Sequence, residues 1–129
     1  MRLLADTPVL LWALLRPGEL DRRAARALAA ASNDVLASAA SLWEIAIKAD
    51  LGKLRLPGPP AEWLPEALER TGIETLPIDG AHALAAGELP PHHRDPFDRM
   101  LVAQALLERL TVVTRDTRFA PYGVPVLAA

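Results

Sequence analysis

Arg2-Leu3-Leu4-Ala5-Asp6-Thr7-Pro8 holds a strand, a helix cap and a helix start in seven residues. The apolar run through Ala5 predicts a short buried strand. Asp6-Thr7-Pro8 then opens a helix reaching about Leu15, with Asp6 or Thr7 as N-cap and Pro8 in the first helical turn, where its missing N–H is harmless. Asp6 therefore falls at the carboxyl end of a strand, the edge where open α/β sheets bind ligands.

The same order recurs along the chain. Residues 34–37 predict a second strand, and Ser38 or Ser41 begins a helix whose Trp43, Ile47 and Leu51 share one face. Residues 73–78 predict a third strand and 81–86 a short helix. Asp95-Pro96 is the clearest helix start, predicting a helix to about Arg109. Thr111 to Thr114 and residues 124–127 complete the strands. Further helices are predicted over 22–32, capped by Asp21, and over 62–71, with Gly52 and Gly72 as helix stops. Lys53 to Pro60 is proline-rich and predicts a loop, the most basic stretch with Lys48, Lys53 and Arg55. Strands alternating with helices imply an α/β fold with a mainly parallel sheet covered on both faces.

At 129 residues the expectation is one domain spanning 1–129. A hydrophobic fraction of 51% beside 23% charged residues argues against disorder. No apolar run approaches the ~20 residues of a membrane span, so no membrane association is expected. Residues 9–15 are too short, and Asp6 disfavours a signal peptide. The absence of cysteine excludes a disulfide framework and thiolate zinc, and fits a cytoplasmic setting. A net charge of −2 lends no support to nucleic-acid binding, which must rest on local patches.

Four acids fit a purely structural role poorly: Asp6, Glu44, Asp98 and Asp116. Burying a carboxylate costs several kcal/mol unless it is paired, hydrogen-bonded or bound to a cation. Asp116 follows the strand Thr111–Thr114 and should share an edge with Asp6, although Asp116-Thr117 also suits an Asx-turn. Asp98 has Leu101, Val102 and Ala105 as helical neighbours and so faces inward. The helix dipole favours a first-turn Asp by only ~0.3–1 kcal/mol, too little to explain that orientation. Asp95 already supplies the cap. Glu44 has Lys48 at i+4, which allows a plain surface ion pair, yet its turn is otherwise apolar. His92-His93 could ligate a metal, but paired histidines in a Pro-Pro connection are expected to be solvent-exposed. Trp12, Trp43 and Trp63 are expected in the core or an interface. Arg115 and Arg118, beside Asp116, could meet phosphates.

The joint pattern resembles a known family. Leu4-Ala5-Asp6-Thr7, the string Ser41-Leu42-Trp43-Glu44-Ile45-Ala46-Ile47-Lys48 with Leu51-Gly52-Lys53-Leu54, and Asp95-Pro96-Phe97-Asp98-Arg99 are similar to the PIN-domain ribonucleases, the last to their VapC-type toxins. Thr114-Arg115-Asp116 fits the C-terminal end, and the likeness covers essentially the whole chain. The resemblance implies a three-layer α/β/α PIN-like domain acting as an endoribonuclease that cleaves RNA phosphodiesters by a metal-activated water. It implies that Asp6, Glu44, Asp98 and Asp116 bind Mg²⁺ or Mn²⁺. Asp98 matches the third acid better than Asp95, because the family's acid precedes the apolar helix run by this offset. Arg99, Arg115 and Arg118 are the expected substrate contacts. A VapB-type antitoxin and a homodimer are the expected partners, as in a type II toxin–antitoxin system. The subgroup often carries a histidine where Pro8 stands, so substrate contacts near Asp6 depart from its pattern. A haloacid-dehalogenase-type phosphatase would need a second Asp at position 8 and is disfavoured. A catalytically degenerate PIN domain serving as a binding partner is the remaining alternative.

Overall fold

The computed structural model describes residues 1–129. Strands β1 (Arg2–Ala5), β2 (Asp34–Ser38), β3 (Glu74–Leu76), β4 (Thr111–Thr114) and β5 (Val126–Ala128) form one sheet in the order β3-β2-β1-β4-β5. Every neighbouring pair is parallel. Helices α1 (Thr7–Leu15), α2 (Arg22–Ala29), α3 (Ala39–Asp50), α4 (Pro60–Thr71), α5 (Gly80–Glu88) and α6 (Pro96–Glu108) cover it.

Side chains alternate across the strands and build two cores. Leu3, Ala5, Val35, Ala37 and Val113 meet Val9 and Leu10 of α1, Ala24 of α2, Ile45 of α3 and Leu64 and Leu68 of α4. Leu4, Leu36 and Val112 meet Leu101, Val102 and Ala105 of α6, with Phe119 and Val124. Helix α5 lies against α6. The result is the three-layer α/β/α arrangement, with both sheet faces dry as parallel strands require. No helix is long and apolar enough to cross a membrane.

Several boundaries differ from the sequence-based expectation, for local reasons. Helix α2 stops at Ala29 because Ala30 is extended. Strand β3 starts only at Glu74, since the Ile73 N–H bonds back to the Leu68 carbonyl at 3.1 Å to close α4, and it ends before Pro77, which has no N–H to donate. Pro125 likewise delays β5 to Val126, contributing only its carbonyl to the Val112 N–H at 2.9 Å. Gly52 and Gly72 both take positive φ, at 73° and 71°, as helix stops do.

Topology fixes the working edge. After β1 the chain moves outward through β2 and β3, then returns across the sheet to β4 on the other side of β1. The order reverses between β1 and β4, so the residues just past their carboxyl ends border the same crevice. Those residues are Asp6 and Asp116.

Candidate metal centre

Asp6 is 3% exposed and caps α1, its Oδ1 accepting the Val9 N–H at 3.0 Å. Its Oδ2 accepts the Thr114 hydroxyl at 2.5 Å. The same hydroxyl oxygen accepts the Asp116 N–H at 2.9 Å, so one threonine at the end of β4 fixes two acids. Burial raises the Asp6 carboxyl to about 6, against the Thr114 and Val9 hydrogen bonds and helped by the charges of Asp116 and Glu44.

Helix α3 begins at Ser38, whose hydroxyl caps the Ala40 N–H at 3.0 Å. One turn later the buried Ser41 hydroxyl accepts from Thr7 at 2.9 Å and binds α3 to the start of α1. That contact brings Glu44 to the crevice, 6% exposed, with Lys48 Nζ 2.6 Å from Oε2. The surface-pair and inward readings of Glu44 both hold: its carboxylate is buried, and its partner reaches in from the rim. The Lys48 amine is raised, chiefly by its hydrogen bond to Glu44.

Asp95 caps α6, accepting the N–H of Phe97 at 2.8 Å and of Asp98 at 3.4 Å. Asp98 sits in the first turn and is pushed up to about 7, first by burial, then by the charges of Asp95, Asp6, Glu44 and Asp116. Asp116 behaves oppositely. Arg118 donates Nε–H to its Oδ1 at 2.9 Å and Nη2–H to its Oδ2 at 2.7 Å, holding the carboxyl well below the usual carboxylate range. Glu44 and Asp116 thus have cationic side chains of their own, whereas buried Asp6 and half-buried Asp98 have none and are raised by the charges of neighbouring acids.

That imbalance suits a divalent cation. The crevice presents hard carboxylate oxygens and no thiolate, the donor set of Mg²⁺ or Mn²⁺. A cation would relieve the repulsion that drives Asp6 and Asp98 toward the protonated form.

Comparison with known proteins bears on the family and the fold. The family model described as "PIN domain" matches residues 3–124. The chain belongs to the PIN-domain family. Ribonuclease VapC22 of Mycobacterium tuberculosis is 32% identical to this PIN domain over 124 residues, 95% of this chain and 92% of that protein. Ribonuclease VapC16 of the same organism is 50% identical over 50 residues, a match spanning 39% of this chain and only 36% of that relative. Among solved structures, VapBC2 from Rickettsia felis bound to a DNA fragment from its promoter superposes with a TM-score of 0.74 at 18% identity, covering 99% of this chain and 98% of that one. That likeness concerns the fold.

The remaining expected site residues of this PIN domain divide sharply. Arg99 does not reach the crevice as a free cation. Its guanidinium donates to four backbone carbonyls, those of Ala86 (3.0 Å), Leu89 (2.9 Å), Pro90 (3.1 Å) and His93 (3.2 Å), and pins the α5–α6 connection. A planar fork of five donors can satisfy four carbonyls at once, more than the three donors of a lysine ammonium allow. Arg115 lies over the Trp12 ring, 4.2 Å from its centroid, and donates to the Glu19 carbonyl. Arg118 remains exposed beyond its pairing with Asp116. Beside Glu44 opens a cleft of about 310 Å³, lined by Pro8, Leu11, Trp12 and Leu54 with Arg16, Lys48, Lys53 and Arg55 among its walls. Trp43 is 64% exposed and meets Phe97 edge-on at 5.4 Å, rather than entering the core.

His93 overturns the expectation of a solvated histidine pair. It is 2% exposed, whereas His92 is exposed. The His93 ring lies against Phe119, with centroids 5.8 Å apart, and its Nε2 sits 3.0 Å from Asp98 Oδ2 and 2.9 Å from Asp116 Oδ2. Thr114 is a residue the sequence alone did not single out, and His93 one that it set aside as exposed. The signal available for both was proximity in sequence to the acids they hold.

Proposed function

We propose that this chain, as a single domain, is a Mg²⁺- or Mn²⁺-dependent endoribonuclease and the toxin half of a VapBC-type toxin–antitoxin pair. The observation that carries the reading is the convergence of buried Asp6 and half-buried Asp98, both without cationic side chains of their own, beside the charge-paired Glu44 and Asp116. The names of the two relatives, both ribonuclease VapC proteins, support the substrate class. The VapBC2 likeness supports a VapB-type partner.

Asp6 and Asp98 would hold the cation, with Glu44 and Asp116 completing the shell around it. When bound, the ion would supply positive charge that activates the attacking water and offsets charge on the phosphoryl oxygens. Thr114, Ser38 and Asp95 keep the ligands in place through the helix caps and strand ends already described. The groove beside Glu44 would carry the RNA strand, with Lys53 and Arg55 meeting phosphates and the Arg115–Trp12 stack forming a wall for a base. Arg118 would meet substrate from the other rim. Trp43, Ile78, Phe97 and Met100 form an apolar surface that supports pairing with a second copy. The lack of cysteine fits action in the cytoplasm.

The deciding experiment incubates the purified chain and its Asp98→Asn variant with labelled RNA in Mg²⁺, in Mn²⁺ and in EDTA. Cleavage should require the metal and vanish in the variant. Undiminished cleavage in EDTA, or by Asp98→Asn, overturns the reading. A degenerate binding domain would bind RNA or a partner and turn over nothing.

A further inference from the structure

We propose that His93 is a positioning residue that holds Asp98 and Asp116 together for the cation without itself becoming a ligand. The inference rests on the metal-dependent reading above. Its geometric basis is the hydrogen-bond pattern on the two ring nitrogens. The Asp95 N–H donates to Nδ1 at 3.2 Å, so Nδ1 presents its lone pair and the ring proton resides on Nε2. Nε2–H then donates to Asp116 Oδ2 at 2.9 Å, and Asp98 Oδ2 lies beside the same nitrogen at 3.0 Å. A nitrogen that carries a proton has no lone pair to give a metal.

The ring itself is held on every side. Tyr122 accepts the His93 N–H at 2.8 Å and donates its own hydroxyl to the Pro90 carbonyl at 2.7 Å. Arg99 donates to the His93 carbonyl at 3.2 Å. Phe119 packs edge-on against the imidazole. This accounts for the placement of Arg99: it secures the segment that carries His93 rather than facing substrate.

The consequence is a bridge between two elements that share no strand contact. Asp98 rides on α6 and Asp116 follows β4, and one ring nitrogen lies within 3.0 Å of both Oδ2 atoms. Two carboxylates would otherwise separate by repulsion when no cation is present. His93 keeps the two at ligand spacing, so binding a cation requires little rearrangement. A ring squeezed between two acids would by composition alone be taken for a third ligand; the Asp95 N–H on Nδ1 decides against that.

Two measurements test this apart from catalysis. In the wild-type chain with ¹⁵N-labelled histidine, Mg²⁺ titration should shift the His93 Nε2 signal while the Nε2–H tautomer persists throughout. Loss of that proton on Mg²⁺ addition makes His93 a ligand and overturns the proposal, as does a His93 spectrum indifferent to Mg²⁺. By calorimetry, His93→Ala should bind Mn²⁺ about 10- to 100-fold more weakly, and His93→Gln, whose amide can still donate, should recover most of that affinity. Wild-type affinity in folded His93→Ala also overturns it. If His93→Ala does not fold, the wild-type nitrogen spectrum and His93→Gln decide. Failure to bind Mg²⁺ at all sinks the metal reading and this inference together; metal binding that ignores His93 sinks this inference alone.

Discussion

The Thr114 hydroxyl donates to Asp6 Oδ2 at 2.5 Å, across residues 108 positions apart in the chain. Because the same oxygen accepts the Asp116 N–H, a single side chain sets the spacing of two of the four acids.

Thr114→Val keeps the shape and deletes both hydrogen bonds, leaving the Asp116 N–H without its acceptor and Asp6 without its donor. The expected loss is about 1–3 kcal/mol of folding stability, read by chemical denaturation, together with weaker Mn²⁺ binding. Thr114→Ser should restore the affinity. A valine variant with wild-type Mn²⁺ affinity would show that the hydroxyl serves the fold alone.

Metal-free stability should depend on pH in a direction set by Asp6 and Asp98. Both carboxyls are raised in the folded chain, to about 6 and about 7, from the ~4 of an unfolded carboxyl. The folded state therefore binds more protons than the unfolded state between pH ~4 and ~7, and stability falls as pH rises through that window. Asp116 is lowered, so its contribution is present above pH ~4 and is lost as pH drops through its folded value. Melting temperatures measured in EDTA should decline from about pH 5 to pH 8, and saturating Mg²⁺ should flatten that decline. A metal-free chain that grows more stable over the same range contradicts the assignment.

Metal binding should release protons. Below pH ~7 a cation competes with the protons on Asp98 and Asp6, so apparent Mn²⁺ affinity should rise from pH 5.5 to 7.5 and level off above it. Calorimetry in two buffers of different ionisation enthalpy measures the released protons directly. A flat affinity profile would place the ion elsewhere.

The basic side of the cleft should govern RNA affinity and leave the fold untouched. Lys53→Glu and Arg55→Glu lie on exposed positions; in an Asp98→Asn background each should weaken single-stranded RNA binding and lower the salt dependence by roughly 0.7 for every phosphate left without its cation. Unchanged binding in both variants would move the RNA path away from this groove.

Arg99→Lys should act through stability. A lysine cannot satisfy four carbonyls at once, so a loss of about 1–3 kcal/mol is expected in denaturant. Residual cleavage per folded molecule should exceed that of Asp98→Asn. The opposite ranking would give Arg99 a direct part in substrate binding.

What could be read from the sequence was what the chain states locally. Asp6, Ser38 and Asp95 announce helix starts within three residues, and those caps fall at the sheet's working edge because each follows a strand or leads into the helix beside it. Asp98 turned inward because helical phase leaves it no alternative. His93 and Thr114 stayed hidden since their roles depend on partners set by the crossover from β3 to β4, which no spacing rule specifies. Arg99 misled for the same reason: beside an acid motif a guanidinium suggests phosphate, and only the folded α5–α6 connection shows carbonyls waiting for it. The late starts of β3 and β5 follow from single backbone choices at Ile73 and Pro125 that apolar content alone does not register.

The reversal of strand order at β1 and β4 has a consequence during synthesis. Asp6 and Glu44 leave the ribosome well before β4, Thr114 and Asp116. A nascent or prematurely terminated product ending before β4 lacks the partner strand of β1, one acid and the hydroxyl that aligns another. On the nuclease reading proposed above such fragments would be inert, and cleavage would begin only in copies that carry β4 and Asp116.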